Sequence, residues 1–145
     1  MQADDWLPAV REEVEALHRF FVDWFTGAVA ADTFEAGFLA RLDPDFVLIP
    51  PAGEVLTLEL LAGAVRERHA SNPDFRIAIR NVRVRRVWDS TVLATYEEWQ
   101  RNALATTPPD NARVASVLFR AGEPLCWLHV HETRMPASAD DDYDF

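Results

Sequence analysis

The sequence predicts an α+β fold, with helices confined to its first half and a curved antiparallel sheet in its second. Three observations point there. Ahead of Asn72-Pro73 the apolar residues recur three and four apart, the spacing of a helix face. From Phe75 to Arg134 they alternate in long runs divided by turn signals, the spacing of strands. Finally, 49% of the 145 residues are hydrophobic, enough to bury one core of ordinary size over residues 1–135.

The first element is a long helix. Trp6, Val10, Val14, Leu17, Phe21, Trp24 and Phe25 lay a broad apolar stripe along it, with Arg11, Glu12, Glu15, Arg19 and Asp23 on the wet side. Asp32 and Glu35 have the spacing of a capping box, in which the first side chain accepts an orphan N–H and the second bonds back. They predict a short second helix with Phe34, Phe38 and Leu42 inward, ending near Asp43-Pro44. Thr57 caps a third helix through Leu61, Val65 and Arg68, closed by Asn72-Pro73.

Phe46 to Ile49 is a short strand stopped by Pro50-Pro51 and Gly53. The later runs are Phe75 to Val87, Thr91 to Gln100, Arg113 to Arg120 and Leu125 to Arg134, the outer pairs divided by Trp88-Asp89-Ser90 and Ala121-Gly122-Glu123-Pro124. Within the first run the apolar phase moves from Phe75, Ile77 and Ile79 to Val82 and Val84, which in a regular strand flips every side chain to the other face. A bulge near Asn81 removes the conflict, bends the strand and lets the sheet curl around the first helix. Residues 136–145 place four Asp among the last six and predict a disordered acidic tail.

Fourteen basic residues against 24 acidic ones give a net charge of −10, whose field repels phosphate backbones and anionic lipid heads. Nucleic acid and membrane are therefore not expected partners. Every one of the fourteen is Arg, which removes Schiff-base, pyridoxal and P-loop lysine chemistry. Gly27, Gly37, Gly53, Gly63 and Gly122 stand too far apart for a phosphate-cradling loop, so no nucleotide cofactor, and no other, is expected. Cys126 is alone and can build neither a disulfide framework nor a cysteine metal cluster. An acidic start, and no apolar run near the roughly 18 residues a spanning helix needs, predict a cytoplasmic protein.

The final strand, Trp127-Leu128-His129-Val130-His131-Glu132-Thr133, resembles the W-x-x-V-H strand of SnoaL-like proteins and of the calcium/calmodulin-dependent kinase association domain. Asp45-Phe46-Val47-Leu48-Ile49-Pro50 followed by Gly53 adds to the likeness. Over residues 6–134 the pattern resembles the nuclear transport factor 2-like superfamily, which includes ketosteroid isomerase, scytalone dehydratase and the SnoaL-like polyketide cyclases. The resemblance implies a cone-shaped sheet around the first helix, a ligand cavity on the concave face and a homodimer through the convex one. It also implies that this is not a standard ketosteroid isomerase: the position of that enzyme's base falls at Ile49, that of its acid at Ser116, and the first helix has no Tyr, since the chain has only Tyr96 and Tyr143. The arginine positions of the kinase domain correspond to Glu98, Ser116 and Arg134, so one arginine is kept.

Side chains alternate along each strand, so one of two sets lines the cavity. Tyr96, Glu98, Ser116, Val130, Glu132 and Arg134 lie on the even face; Glu97, Trp99, Trp127, His129 and His131 lie on the odd one. The resemblance turns the even face inward, leaving Trp127, His129 and His131 as interface or alternative-site residues. Glu98 and Glu132 are the catalytic candidates, because burial and mutual repulsion can raise one carboxyl toward neutrality and divide acid from base. A structural ion pair with Arg134 or another arginine is the competing reading. Tyr96 and Ser116 offer hydroxyls to a ligand and Trp24 an aromatic wall, although Trp24, Phe21 and Phe25 equally suit the core. His129, His131 and a carboxylate make up the ligand number of a catalytic zinc site, but the spacing suits interface histidines better, and no metal is expected. Arg76, Arg80, Arg83, Arg85 and Arg86 read as a solvated strand face paired with acids.

The sequence thus points to a homodimeric small-molecule-binding domain with lyase, isomerase or cyclase chemistry. Glu98 and Glu132 set against Arg134 predict a neutral or cationic hydrophobic ligand. The alternative is a non-catalytic binding or dimerisation module.

Overall fold

The computed structural model describes residues 2–136, so all but the first residue of the expected acidic tail lies outside it. Helix α1, Ala3–Thr26, buries Val10, Val14, Leu17, His18, Phe20 and Trp24. It stops at Gly27, whose φ of 85° is left-handed and where a Cβ would lie 2.9 Å from the Cβ of Ala70. The amides of Gly27 and Ala28 close the last turn on the carbonyls of Trp24 and Asp23.

Helix α2, Phe34–Gly37, is a single turn set between two 3-10 turns, Ala31–Thr33 and Leu39–Arg41. The capping box expected of Asp32 and Glu35 does not form. Asp32 lies inside the first 3-10 turn, and the residue preceding the α-turn is Thr33, whose hydroxyl donates to the Ala30 carbonyl at 2.7 Å. The turn is held instead by packing: Gly37 sits so close to the Phe20 ring that a Cβ there would come within 2.5 Å of it. Helix α3, Leu58–Glu67, begins as predicted, the Thr57 hydroxyl accepting from the Leu60 amide at 3.4 Å.

Six strands follow the order β2-β1-β6-β5-β4-β3 across one sheet that does not close. They are β1, Leu42–Ile49; β2, Leu56–Thr57; β3, Arg76–Trp88; β4, Thr91–Arg101; β5, Asn111–Arg120; and β6, Cys126–Met135. β1 runs parallel to β6 while every other pairing is antiparallel, so the sheet is mixed, not antiparallel throughout. The bulge expected near Asn81 is present: the β3 register shifts between Arg80 and Arg83, and Asn81 takes a φ of 53°. A second shift falls between Val84 and Arg86. Each extra residue bends the strand, and together they carry the sheet around α1.

Register decides which side chains share a face. Tyr96 stands opposite Ala115 and Glu98 opposite Arg113, so even positions of β4 lie beside odd positions of β5. The concave face therefore holds Val92, Ala94, Tyr96 and Glu98 with Arg113, Ala115, Val117 and Phe119, all buried. Ser116, expected to face inward, stands on the convex side between Thr95 and His131 and is exposed. A shift in β6 between the partners of Leu118 and Phe119 brings Trp127 opposite Phe119. Trp127, expected to face outward, is thus buried against α1 along with Val130 and Glu132, whereas His129 and His131 stay on the convex face. Among the described residues no helix is long and apolar enough to cross a membrane.

Candidate functional site

A cavity of about 860 Å³ lies between α1 and the concave face. Leu17, Phe21 and Phe25 of α1, Phe46 and Leu48 of β1, and Ile77 of β3 give it an apolar wall. Pro50 to Ala52 beyond β1 and Leu104 to Thr107 beyond β4 also border it. Against this wall stand the polar side chains of His18 of α1, Tyr96, Glu98 and Gln100 of β4, Arg113 of β5 and Glu132 of β6, with exposed Glu54, Arg68 and Arg134 also on the border.

The chain places them there by simple periodicities. His18 occupies the buried helix stripe four residues after Val14 and three before Phe21. Tyr96, Glu98 and Gln100 continue the inward alternation that begins with Val92 and Ala94, and Glu132 follows Val130 in the same way. Each is a polar residue at a position that elsewhere on the same element carries core.

His18 is held at both ring nitrogens. Nδ1 lies 2.7 Å from the Val14 carbonyl and Nε2 lies 3.0 Å from Glu98 Oε1. A carbonyl only accepts, so Nδ1 carries a proton, and the contact with Glu98 then contains another. The second oxygen of Glu98 accepts from Gln100 Nε2 at 2.6 Å. Burial works against both charges, but it is outweighed: Glu98 keeps the imidazole protonated above the ordinary histidine range, and His18, Arg113 and Gln100 hold the Glu98 carboxyl down to about 2.

Arg113 and Glu132 form the other half. Arg113 Nη1 donates to Glu132 Oε1 at 3.1 Å, and Nη2 donates to Asn111 Oδ1 at 3.1 Å and Gln100 Oε1 at 3.4 Å. Arg113 Nε is buried and makes no hydrogen bond among the described residues. Glu132 Oε2 likewise has no partner there, and the residue lines the cavity. Burial, and after it the charge of Glu98, push the Glu132 carboxyl up to about 7 against the pull of Arg113 and His18. Tyr96 is raised well above its ordinary value by burial and by both carboxylates, which keeps it a phenol. Two buried carboxyl groups are thus driven apart: one is ionised at neutral pH with a donor on each oxygen, the other poised near neutrality with an oxygen free.

Of the residues the sequence singled out, Tyr96, Glu98, Glu132 and Arg134 line the cavity, the last of them exposed. Ser116 does not. Trp24 does not either: it is enclosed in the core, its Nε1 donating to the Val65 carbonyl at 2.7 Å and its ring stacked on Phe20 at 5.6 Å. Trp127 lines the cavity from the inside, and its Nε1 donates to Glu13 Oε1 at 3.0 Å. His129 and His131 stand on the opposite face, and no group of three or more His, Cys, Asp and Glu suited to a metal occurs among the described residues. Ile49 pairs with His131, while its neighbours Leu48 and Pro50 line the cavity. The arginine that pairs with Glu132 is Arg113 and not Arg134, while Glu98 is held by His18 and Gln100. The sequence offered a signal for His18, a polar residue inside an apolar helix stripe, and none for Arg113, whose face depends on strand register.

A long helix laid in a curved mixed sheet, with a polar cluster on the floor of the space between them, defines a cone-shaped α+β fold class. The comparisons place the chain within it. It is similar to a nuclear transport factor 2-like protein of unknown function from Pseudomonas aeruginosa at 27% identity over 88% of this chain and 98% of that one, with a TM-score of 0.78. A nuclear transport factor 2-like protein from Cytophaga hutchinsonii shares the fold at 17% identity, covering 93% of this chain and 99% of its own, TM-score 0.59. So does the hub of calcium/calmodulin-dependent protein kinase II from S. rosetta, at 12% identity over 93% and 98%, TM-score 0.63. The chain is a member of the nuclear transport factor 2-like superfamily. No protein-family model and no curated protein matches it.

Proposed function

We propose that the protein binds a small molecule with a flat apolar body in the cavity under α1 and moves a proton on it, as a lyase, isomerase or cyclase does. The observation that carries this reading is the division of labour between the two carboxyls. Glu98 is locked by His18 and Gln100, whereas Glu132 keeps an oxygen free and is pushed to about 7, where a group can both give and take a proton. Tyr96, held as a phenol, can donate to an oxygen on which charge develops. Phe21 and Phe25 supply an apolar wall for the ligand body.

Ketosteroid-type isomerisation is not part of this proposal, because the acid–base pair supported here comes from β4 and β6 and owes nothing to Ile49 of β1. The test is a panel of enolisable aromatic ketones incubated in D₂O and followed by proton NMR, beside a thermal-shift screen of the same compounds. Deuterium incorporation that Glu132→Gln abolishes supports proton transfer. Binding without exchange by any member leaves the non-catalytic binding module, and no binding at all removes the reading altogether.

We also infer a homodimer through the convex face. Half-buried Leu93 and Leu118 stand opposite each other there, and exposed Val114 lies on the same face of β5 beyond the Thr95–Ser116 pair. Trp99 adds little to that face, being 7% exposed with its Nε1 donating to Glu97 at 2.9 Å.

A further inference from the structure

Arg113 is a cation more than nine-tenths buried whose donors are incompletely used. Its two Nη groups reach Glu132, Asn111 and Gln100, but Nε has no acceptor among the described residues. A buried donor without a partner is unfavourable, most of all on a charged group. Nε is closed to solvent, so an arriving group meets the charge of Arg113 on the part of the side chain that lines the cavity.

The charges facing the cavity say what kind of group that is. His18 and Glu98 cancel each other across their hydrogen bond, and Tyr96 is neutral. Arg134, two positions along β6 from Glu132, is exposed and screened by water. Glu54 and Arg68, which also border the cavity, are exposed and of opposite sign, so among the buried groups the balance is set by Arg113 and Glu132. With Glu132 ionised the floor is neutral; with Glu132 protonated it carries one net positive charge, and the new carboxylic acid gains an O–H to donate.

We propose that the ligand of this cavity carries a single negative charge on a carboxylate, which Arg113 receives while Glu132 takes up a proton from solvent. This rests on the reading of the cavity as a small-molecule site and adds the charge of its occupant. The sequence expectation of a neutral or cationic ligand set two glutamates against Arg134 only, without the buried Arg113 or the proton held by His18. Without proton uptake an arriving carboxylate meets Glu132 as a second anion in a site of low dielectric, so binding and protonation are coupled. Glu98 does not compete for that proton, because both its oxygens already accept hydrogen bonds.

Naphthoate, naphthamide and naphthylmethylammonium present one aromatic body with three head-group charges. Calorimetry on the full chain at several pH values, repeated in buffers of different ionisation enthalpy, reads affinity and proton uptake together. Naphthoate is expected to bind best, with uptake approaching one proton above neutrality and affinity falling about tenfold per pH unit there. Glu132→Gln keeps naphthoate binding but abolishes both the uptake and the pH dependence, while Arg113→Met loses naphthoate and retains naphthamide. Naphthamide or the ammonium binding better than naphthoate in the wild-type protein overturns the proposal and leaves the small-molecule site standing. So does naphthoate binding without proton uptake. If none of the three binds, the site itself is refuted.

Discussion

His18 and Glu98, 80 positions apart, are joined at 3.0 Å by a buried hydrogen bond that ties the middle of α1 to the fourth strand. Neither partner tolerates losing the other. His18→Leu leaves a buried carboxylate with Gln100 as its remaining donor, which costs about 3–5 kcal/mol; replacing both residues by Leu costs much less than the two single changes added together. Urea denaturation of the single and double variants measures the difference, and strict additivity would show that the contact is not coupled. Nitrogen-15 NMR of the imidazole supplies an independent check: both ring nitrogens of His18 should stay protonated above pH 6.5, its ordinary midpoint.

How much of this was legible in the sequence follows from which property each residue's position depends on. Helix stripes and strand alternation are local, so α1, α3 and the four long strands were readable, as was the bulge at Asn81, where the apolar phase changes within one strand. Ser116 was placed on the wrong face and Arg113 was passed over because the face of each is set by how β5 registers against β4, a property of two strands that neither encodes alone. Trp127 was assigned to the wrong side because the irregularity ahead of His129 lies inside an uninterrupted apolar run and leaves no phase change to notice. The parallel pairing of β1 with β6 joins segments far apart in the sequence, Ile49 standing opposite His131, and has no local signature.

Trp127 and Arg41 both donate to Glu13 Oε1, at 3.0 and 2.7 Å, so one buried carboxylate pins α1 to β6 and to the 3-10 turn ahead of β1. Trp127→Phe keeps most of the ring volume and removes the indole donor. Glu13 retains Arg41, so the expected loss is about 1–2 kcal/mol and the fold survives. Glu13→Leu strips the acceptor from two donors at once, and its loss of stability in urea should exceed that of Trp127→Phe.

A dimer through the convex face places the Val114 and Leu118 side chains of one copy in the apolar contact with the other. Light scattering at micromolar concentration should return twice the chain mass. Leu118→Arg, which puts a charge in that contact and touches nothing in the cavity, should return the mass of one chain with an unchanged circular dichroism spectrum. A monomeric wild-type protein would remove the homodimer from the description.

The buried titrating groups set how stability follows pH, and their signs do not all agree. Glu98, lowered to about 2 from an ordinary 4.5, contributes stability above pH 4.5 that is lost as the pH falls toward 2. Glu132 acts the other way. Raised from 4.5 to about 7, it holds a proton in the folded chain that the unfolded chain has already released, so stability declines as the pH rises across that interval. His18, raised from 6.5, adds to the decline: its contribution is full below pH 6.5 and disappears as the pH passes its folded midpoint. Thermal stability should therefore be highest near pH 5 and fall toward pH 8, opposite to a protein governed by ordinary surface carboxylates. Glu132 accounts for on the order of 3 kcal/mol of that fall, or roughly 5–10 °C in Tm for a chain of this size. Glu132→Gln, which stays neutral and can still accept from Arg113, should flatten the curve between pH 5 and 7 and leave the acid limb below pH 4 in place. A wild-type Tm that rises steadily from pH 5 to 8 would show that Glu132 is ionised in the folded state, and would remove the acid–base role proposed for it.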